Sequence, residues 1–181
     1  MSNFSHQDLI EIGRNWCLRS WRPRKSKKKP RVVDSHGECS LVITDMTSSV
    51  SETPDVIAWD HGSSILLEAK VSRADFLADK KKGFRRRPTT GVGTRRYFIT
   101  PVGLLAVPDL PTGWGLIEVN PQGKTRVLQS SLKFKPNLDA ENKMLLSLIL
   151  RLDVNPGQHI TIRAYKIPSQ GVPRATVTFR K

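Results

Sequence analysis

The sequence is poor in cysteine, in long apolar runs and in acidic side chains, and each scarcity excludes a class of protein. Only two of its 181 residues are cysteine, too few for a disulfide framework or a zinc site built from cysteines. We expect both as reduced thiols of a cytoplasmic protein. The four histidines are scattered without the spacing of metal ligands. No stretch approaches the ~18 consecutive apolar residues of a membrane span, so no membrane partner is expected.

Acidic residues are outnumbered, since 30 Lys and Arg against 16 Asp and Glu give a formal net charge of +14. Such an excess of positive charge predicts a polyanionic partner. Nucleic acid is the first candidate and an anionic membrane surface the second. Much of the charge falls in two runs, residues 19–31 and residues 80–96. We interpret both as exposed loops that contact a phosphate backbone. The residues assigned to this contact are Arg24, Lys27, Lys28, Arg73, Lys80, Lys81, Arg85 and Arg86. For Arg73 a purely solvent-facing position is an equal alternative.

Apolar periodicity and turn residues predict a mixed α/β fold. The segments Ser5 to Asp8 and Ser72 to Asp75 have the pattern of helix-capping boxes. Capping alone accounts for the presence of Ser72 and Asp75, so neither is assigned a further function. The order up to residue 100 is helix, strand, strand, strand, helix, strand, with helices covering a central sheet. The predicted elements are helices at 6–21, 72–84 and 139–152, the last with Asp139 as its candidate cap, a strand or hairpin within 31–43, strands at 55–59, 64–70, 95–100, 115–119 and 125–128, and a closing hairpin at 159–167 and 174–180.

Three charged residues stand at one end of the predicted hairpin. Glu68 and Lys70 are two residues apart on the second strand, so both project to the same face. The turn brings Asp55, at the start of the first strand, opposite them. The hard oxygens of Asp55, Glu68 and the carbonyl of Ala69 suit Mg²⁺ or Mn²⁺. Lys70 would polarise a water or stabilise charge on a phosphate. The chemistry indicated is metal-dependent phosphodiester hydrolysis.

The simpler alternative for these residues is a salt-bridge cluster on a strand end, which would contribute about 0–1 kcal/mol to stability. The second strand, however, is apolar on both faces at Ile65, Leu66 and Leu67. Such a strand is expected in the middle of a covered sheet, where charge without a function is costly. The catalytic interpretation is therefore favoured.

At these residues the sequence resembles the PD-(D/E)XK nuclease superfamily. The motif is Pro54-Asp55, a twelve-residue gap, and then Glu68-Ala69-Lys70, and the predicted αβββαβ order matches the core of that superfamily. Residues 52–82 are similar to the small MmcB-like DNA-repair and phage-encoded nucleases, which follow the E-x-K strand with an SRADF…D.K helix. The resemblance covers roughly residues 5–130. It implies a restriction-endonuclease-like domain at 1–130 and a C-terminal extension, a helix and a hairpin, at 131–181.

The resemblance implies a Mg²⁺- or Mn²⁺-dependent nuclease, acting on DNA rather than RNA in repair, recombination or phage DNA metabolism. Many members use a further acidic residue from the first helix or strand, for which Glu38 is preferred here over Glu11 and Glu52. A homodimer is one open arrangement, since small nucleases of this fold often act as dimers. Two alternatives to an enzyme stay open. One is a basic nucleic-acid-binding module without catalysis, and the other is an interaction protein that blocks or recruits a nucleic-acid enzyme.

Overall fold

A computed structural model describes residues 4–18, 39–45, 52–60, 62–79, 82–83 and 87–151, with side chains as far as residue 149. The described helices and strands are α1 His6–Leu18, β1 Leu41–Thr44, β2 Val56–Trp59, β3 Ser64–Ala69, α2 Arg73–Asp79, β4 Arg95–Pro101, β5 Gly115–Val119, β6 Thr125–Gln129 and α3 Leu138–Arg151. Short 3-10 turns lie at Pro88–Thr90 and Val107–Asp109. The predicted strands at 55–59, 64–70, 95–100, 115–119 and 125–128 are thus confirmed within a residue or two.

The six strands form one mixed sheet in the order β1-β2-β3-β4-β5-β6. The pairs β1–β2, β2–β3 and β5–β6 are antiparallel, whereas β3–β4 and β4–β5 are parallel. The chain between β3 and β4 contains α2, as a parallel connection requires a crossover. Every residue of β3 is buried, which agrees with its continuous apolar run. The protein is therefore a mixed α/β fold with helices flanking the sheet.

Two apolar clusters lie on opposite faces of this sheet. On one face α1 packs against the odd-numbered residues of β3, and Trp16 meets Tyr97 edge-on at 5.5 Å between ring centroids. On the other face, which we call the α2–α3 face, Leu66 lies in a cluster with the rings of Phe76, Phe98 and Trp114. Phe98 stacks on Trp114 at 4.6 Å. Because strand side chains alternate, Glu68 and Lys70 project to the same face as Leu66.

Polar side chains fix the helix starts. At α1 the backbone N–H and the hydroxyl of Ser5 both donate to Asp8 Oδ2 at 2.8 Å, and Asp8 N–H donates back to Ser5 Oγ at 3.1 Å. At α2 the Asp75 N–H donates to Ser72 Oγ at 3.2 Å. Both capping boxes were predicted from sequence at these positions, and the hydrogen bonds confirm the contacts to the two serines.

The cap of α3 differs from the sequence expectation. Ala140 N–H donates to Asn137 Oδ1 at 3.1 Å, so Asn137 and not Asp139 caps this helix. Asp139 instead accepts from Lys143 Nζ at 2.7 Å on the exposed side of the helix. Asn is as good a capping residue as Asp, and the choice between them depends on where the chain turns into the helix.

A buried carboxylate holds α3 to the start of β3. Glu141 Oε1 accepts hydrogen bonds from Ser64 Oγ at 2.7 Å and Gly93 N–H at 2.8 Å. Its Oε2 accepts from Trp59 Nε1 at 3.2 Å. The helix also buries Ala140 and Met144 against the sheet. The first part of the proposed C-terminal extension is thus integrated into the core, whereas the division at residue 130 stays a prediction.

The end of α1 and the start of β1 meet at two buried cysteines. Cys39 N–H donates to the carbonyl of Cys17 at 3.2 Å, and both thiols are free. A hydrogen bond with Cys39, together with burial, raises the pKa of the Cys17 thiol. A raised pKa keeps such a thiol protonated and unreactive at neutral pH.

Several predicted features lie outside the described residues: the end of the first helix beyond Leu18, the basic run 19–31, residues 80–81 and 84–86 of the second basic run, and the hairpin at 159–167 and 174–180. Among the helices that the structure describes, none is long and apolar enough to cross a membrane.

Candidate functional site

Asp55 lies immediately before β2, at the end of the sheet where β3 terminates. The antiparallel register pairs Val56 with Leu67, so its continuation sets Asp55 opposite Glu68. Asp55 Oδ2 accepts the Ala69 N–H at 2.8 Å and lies 3.3 Å from His6 Nε2 on α1. The predicted approach of Asp55 to the end of the second strand is therefore present, and the carboxylate is held there by a backbone donor.

His6 is a member of this site that sequence reasoning missed. It stands near the start of α1, far along the chain from Asp55, and its side chain is half exposed. A single histidine at a helix start has no sequence pattern that would link it to a hairpin. Its position follows only from the packing of α1 on the opposite face of the sheet.

Glu68 and Lys70 form a buried pair at the end of β3. Glu68 is 2% exposed and Lys70 is 4% exposed, and Lys70 Nζ lies 3.3 Å from Glu68 Oε2. The two residues occupy one face of the strand, as predicted from their spacing. Charged groups this far from solvent are costly unless they are paired, which makes an accidental surface cluster a poor account of them.

Two carboxylates from α2 complete the surroundings of Lys70. Its Nζ lies 3.9 Å from Asp75 Oδ1 and 3.7 Å from Asp79 Oδ1. Asp79 in turn lies 2.7 Å from Lys82 Nζ. The capping box accounts for the backbone N–H of Asp75 but not for the direction of its side chain. The i,i+4 spacing of the two acids on a short helix is the sequence signal that could have indicated their shared face.

The site is an acidic spot in a basic protein. Within it, carboxylate oxygens of Glu68, Asp75 and Asp79 lie 3.3–3.9 Å from Lys70 Nζ, and Asp79 also contacts Lys82. The Asp55 carboxylate is held next to this cluster by the Ala69 N–H. With His6 counted as neutral, four negative and two positive charges leave an excess of two negative charges. A divalent cation would neutralise that excess, and carboxylate oxygens are the ligands that Mg²⁺ takes.

In the part of the chain that the structure describes, no group of three or more His, Cys, Asp or Glu side chains could hold a metal ion. The donors predicted from the sequence are the two carboxylates of Asp55 and Glu68 and the Ala69 carbonyl, and this ligand set stays a prediction. This set fits Mg²⁺, which is commonly bound through one or two carboxylates and keeps several waters. It does not fit a metal that requires a complete cage of protein ligands.

The three candidates for a further acidic residue of the site differ in where they lie in the structure. Glu11 lies on the exposed side of α1, 3.6 Å from Arg14. Glu52 is buried, and its Oε2 accepts the Val92 N–H at 2.8 Å in the loop before β4. Glu38, the preferred candidate, lies outside the described residues. The residue of α1 that lies beside Asp55 is thus His6 and not Glu11.

Arg73 is engaged within the protein. Its Nη1 and Nη2 donate to Asp109 Oδ2 and Oδ1 at 2.9 and 3.0 Å, and these bonds raise the pKa of Arg73. The pair fastens α2 to the 3-10 turn after β4. A contact with nucleic acid stays a prediction for Arg73. The other assigned basic residues lie outside the described part of the chain: Arg24, Lys27, Lys28, Lys80, Lys81, Arg85 and Arg86.

Comparison with known proteins gives little more. No family model matches the chain, and no curated protein matches it. Among solved structures it is similar to a protein of unknown function from Silicibacter pomeroyi, at 19% sequence identity and a TM-score of 0.46, over 62% of this chain and 76% of that one. A function for this chain must therefore be argued from its own site.

Proposed function

We propose that this protein is a metal-dependent nuclease with a restriction-endonuclease-like core, hydrolysing phosphodiester bonds of DNA in repair, recombination or phage DNA metabolism. One observation supports this above the others. Asp55, Glu68 and Lys70 come from adjacent antiparallel strands and meet at one end of the sheet, where Glu68 and Lys70 are buried. A buried acidic site in a strongly basic chain is an arrangement that a phosphodiesterase requires.

The residues have separate roles in this proposal. Asp55 and Glu68 hold a Mg²⁺ or Mn²⁺ ion, with the Ala69 carbonyl as a further ligand. When bound, the metal supplies an activated water and neutralises charge on the phosphate. Lys70 donates hydrogen bonds to the water or to a phosphate oxygen as negative charge develops there. The hydrogen bond from the Ala69 N–H keeps the Asp55 carboxylate turned toward β3.

The positive charge holds the substrate. A net charge of +14 favours binding through phosphates, which depends strongly on salt and little on sequence. DNA is proposed over RNA on the resemblance of the motif, and the same resemblance makes a homodimer a proposal to be tested by sedimentation of the chain with and without DNA.

The test is cleavage by the full chain with Mg²⁺ or Mn²⁺ on single-stranded, double-stranded and branched DNA and on RNA. We expect metal-dependent cleavage of at least one DNA substrate. Glu68→Ala should abolish it while DNA binding, measured by fluorescence anisotropy, survives. Asp139→Ala is the matched control, because Asp139 is an exposed acid paired with Lys143, and it should cleave as the unchanged chain does. Robust cleavage by Glu68→Ala would overturn the proposal.

A second candidate is a nucleic-acid-binding protein without catalysis. It is favoured by the engagement of Asp55 Oδ2 with the Ala69 N–H and His6, and by the absence of a three-residue metal group among the described residues. This candidate predicts salt-sensitive DNA binding, no heat of Mn²⁺ binding by calorimetry, and no cleavage of any substrate. Mn²⁺ binding that Glu68→Ala removes would decide for the enzyme.

A further inference from the structure

Asp79 is the most deeply buried carboxylate near the site that the proposed chemistry does not use. Its side chain is 1% exposed and lies between two ammonium groups, Lys70 at 3.7 Å and Lys82 at 2.7 Å. It belongs to the last turn of α2, on the α2–α3 face of the sheet. A carboxylate in such a place requires compensation by charge or hydrogen bonds.

Anchoring of α2 alone does not explain a charge at this position. The helix is already held to the sheet by Phe76, whose ring meets Phe98 edge-on at 5.0 Å. The ion pair of Arg73 with Asp109 also joins it to the 3-10 turn after β4. An apolar residue in place of Asp79 would avoid the cost of desolvation. Lys82 is about half exposed and would find solvent without a partner. Of the two ammonium groups beside Asp79, Lys70 is therefore the one whose own burial calls for a nearby carboxylate.

Lys70 needs a partner on the side away from its own strand. A lysine is a point charge on a flexible four-carbon stem and keeps many rotamers unless it is held. Glu68, two residues earlier in the chain, contacts Lys70 from the same strand end, at 3.3 Å from its Nζ. If Glu68 shares its carboxylate with a cation, the ammonium group loses part of that contact. Asp79, across the gap on α2, supplies a carboxylate that stays in place.

We propose that Asp79 is a positioning residue that holds the Lys70 ammonium group between β3 and α2, an inference that rests on the proposed nuclease function for its catalytic consequence. Asp75 contributes less to this placement, because it is more exposed and more distant from Lys70. The contact between Asp79 and Lys70 is itself a property of the folded chain, so it can be tested without metal or substrate.

A double-mutant cycle on the full metal-free chain tests the placement. Lys70→Met and Asp79→Asn should each shift the thermal unfolding midpoint, and the double variant should differ from the sum of the two shifts by several degrees, because each single change leaves the other charge buried. A control cycle of Lys70→Met with Asp139→Asn should be additive. Additive shifts in the Lys70–Asp79 cycle would overturn the proposal, whether or not the protein cleaves DNA.

Kinetics test the consequence for catalysis. Asp79→Asn should lower kcat ~10–100-fold, the effect of a misplaced group, and leave KM for DNA within about twofold because the substrate is held by other charges. Asp79→Glu should recover part of kcat, and it carries the test if Asp79→Asn folds poorly. Lys82→Met, which removes the other ammonium group beside Asp79, should lower kcat less than Asp79→Asn does; a loss equal to that of Asp79→Asn would overturn the assignment to Lys70. No cleavage by the unchanged chain would instead overturn the nuclease function, and the unfolding cycle would still decide the placement.

Discussion

Two buried glutamates on the α2–α3 face, Glu141 and Glu68, lie at opposite ends of β3 and are held in different ways. Glu141, at the start of the strand, is 5% exposed and accepts hydrogen bonds from a serine, an indole and a backbone amide. Glu68, near the end of the strand, lies beside a lysine that two further carboxylates also approach. One carboxylate is surrounded by neutral donors and the other by charges.

The difference separates a structural acid from a candidate functional one. Neutral donors that each satisfy one oxygen stabilise a carboxylate and fix a helix to a sheet, which is what Glu141 does. A buried lysine with several carboxylates around it is costly, and apolar side chains would join the same helix and strand at a lower cost in stability. Burial alone therefore does not identify a functional carboxylate, whereas the type of its partners does.

The largest expected effect concerns Glu68. Glu68→Gln keeps the size of the side chain and removes the charge, so metal-dependent cleavage should fall by about 10²–10³-fold, in the range seen when a group that stabilises transition-state charge is lost. Stability should change little, because one charge of an acid-rich cluster is removed. Initial cleavage rates and urea unfolding of the same preparation measure both. A variant that unfolds readily and cleaves normally would reverse the contrast with Glu141.

Glu141→Gln should give the opposite result. The amide keeps one acceptor oxygen and presents an NH₂ group to a donor, so at least one hydrogen bond to a charged group is lost, with a fall in the free energy of unfolding of about 1.5–3 kcal/mol. Cleavage measured well below the unfolding midpoint should be unchanged. Urea unfolding followed by tryptophan fluorescence provides the measurement. A cleavage defect without a loss of stability would place Glu141 among the functional residues.

Ser64→Ala tests whether Glu141 acts through its hydrogen bonds, because it removes one of the donors to that carboxylate. The Ser64 hydroxyl donates to Glu141 Oε1 and also accepts the Thr94 N–H at 3.0 Å. Its loss should lower the free energy of unfolding by about 1–2 kcal/mol. In the Glu141→Gln background the further loss should be smaller, because the two residues share a hydrogen bond. Equal losses in both backgrounds would show that Ser64 acts independently of Glu141.

The smallest expected effect is the pH dependence at the start of α1. Hydrogen bonds from the backbone and side chain of Ser5 lower the pKa of Asp8 below its ordinary value of 3.8. A lowered pKa means that this contribution to stability is present above pH 3.8 and is lost as the pH falls through the pKa of the folded state. Asp8→Asn should therefore be less stable than the unchanged chain at pH 6, and the difference should shrink toward pH 2.5. Urea midpoints across that range test this, and a constant difference would contradict it.

The local sequence pattern was sufficient to predict the strands and the proximity of Asp55, Glu68 and Lys70 in the candidate site. The apolar run of residues 65–67 indicated a central covered strand, and β3 is buried throughout. The two-residue spacing of Glu68 and Lys70 indicated a shared face, and the hairpin indicated that Asp55 would approach them. These predictions depend on strand alternation and antiparallel pairing, which are properties of the backbone and need no knowledge of how helices pack.

The positions of His6 and Asp79 depend instead on how the helices pack against the sheet. His6 reaches Asp55 only because α1 crosses the sheet end, and Asp79 reaches Lys70 only because α2 lies over the end of β3. A capping box predicts where a helix begins but does not define the direction of an acid in its first turn, as Asp75 shows. The same limit explains why Asn137 and not Asp139 caps α3.

The hydrogen bond between Cys39 and Cys17 has a consequence for how the basic charge is carried. It holds the two ends of the intervening segment next to each other in the core, as at the base of a closed loop. The entropy of closing such a loop grows only logarithmically, at about 0.6 kcal/mol for each doubling of length. A change in the number of residues between the two cysteines should therefore cost little stability. Insertions, deletions and changes of charge there are expected to leave the pairing of β2 with β3, and with it the positions of Asp55 and Glu68, unchanged.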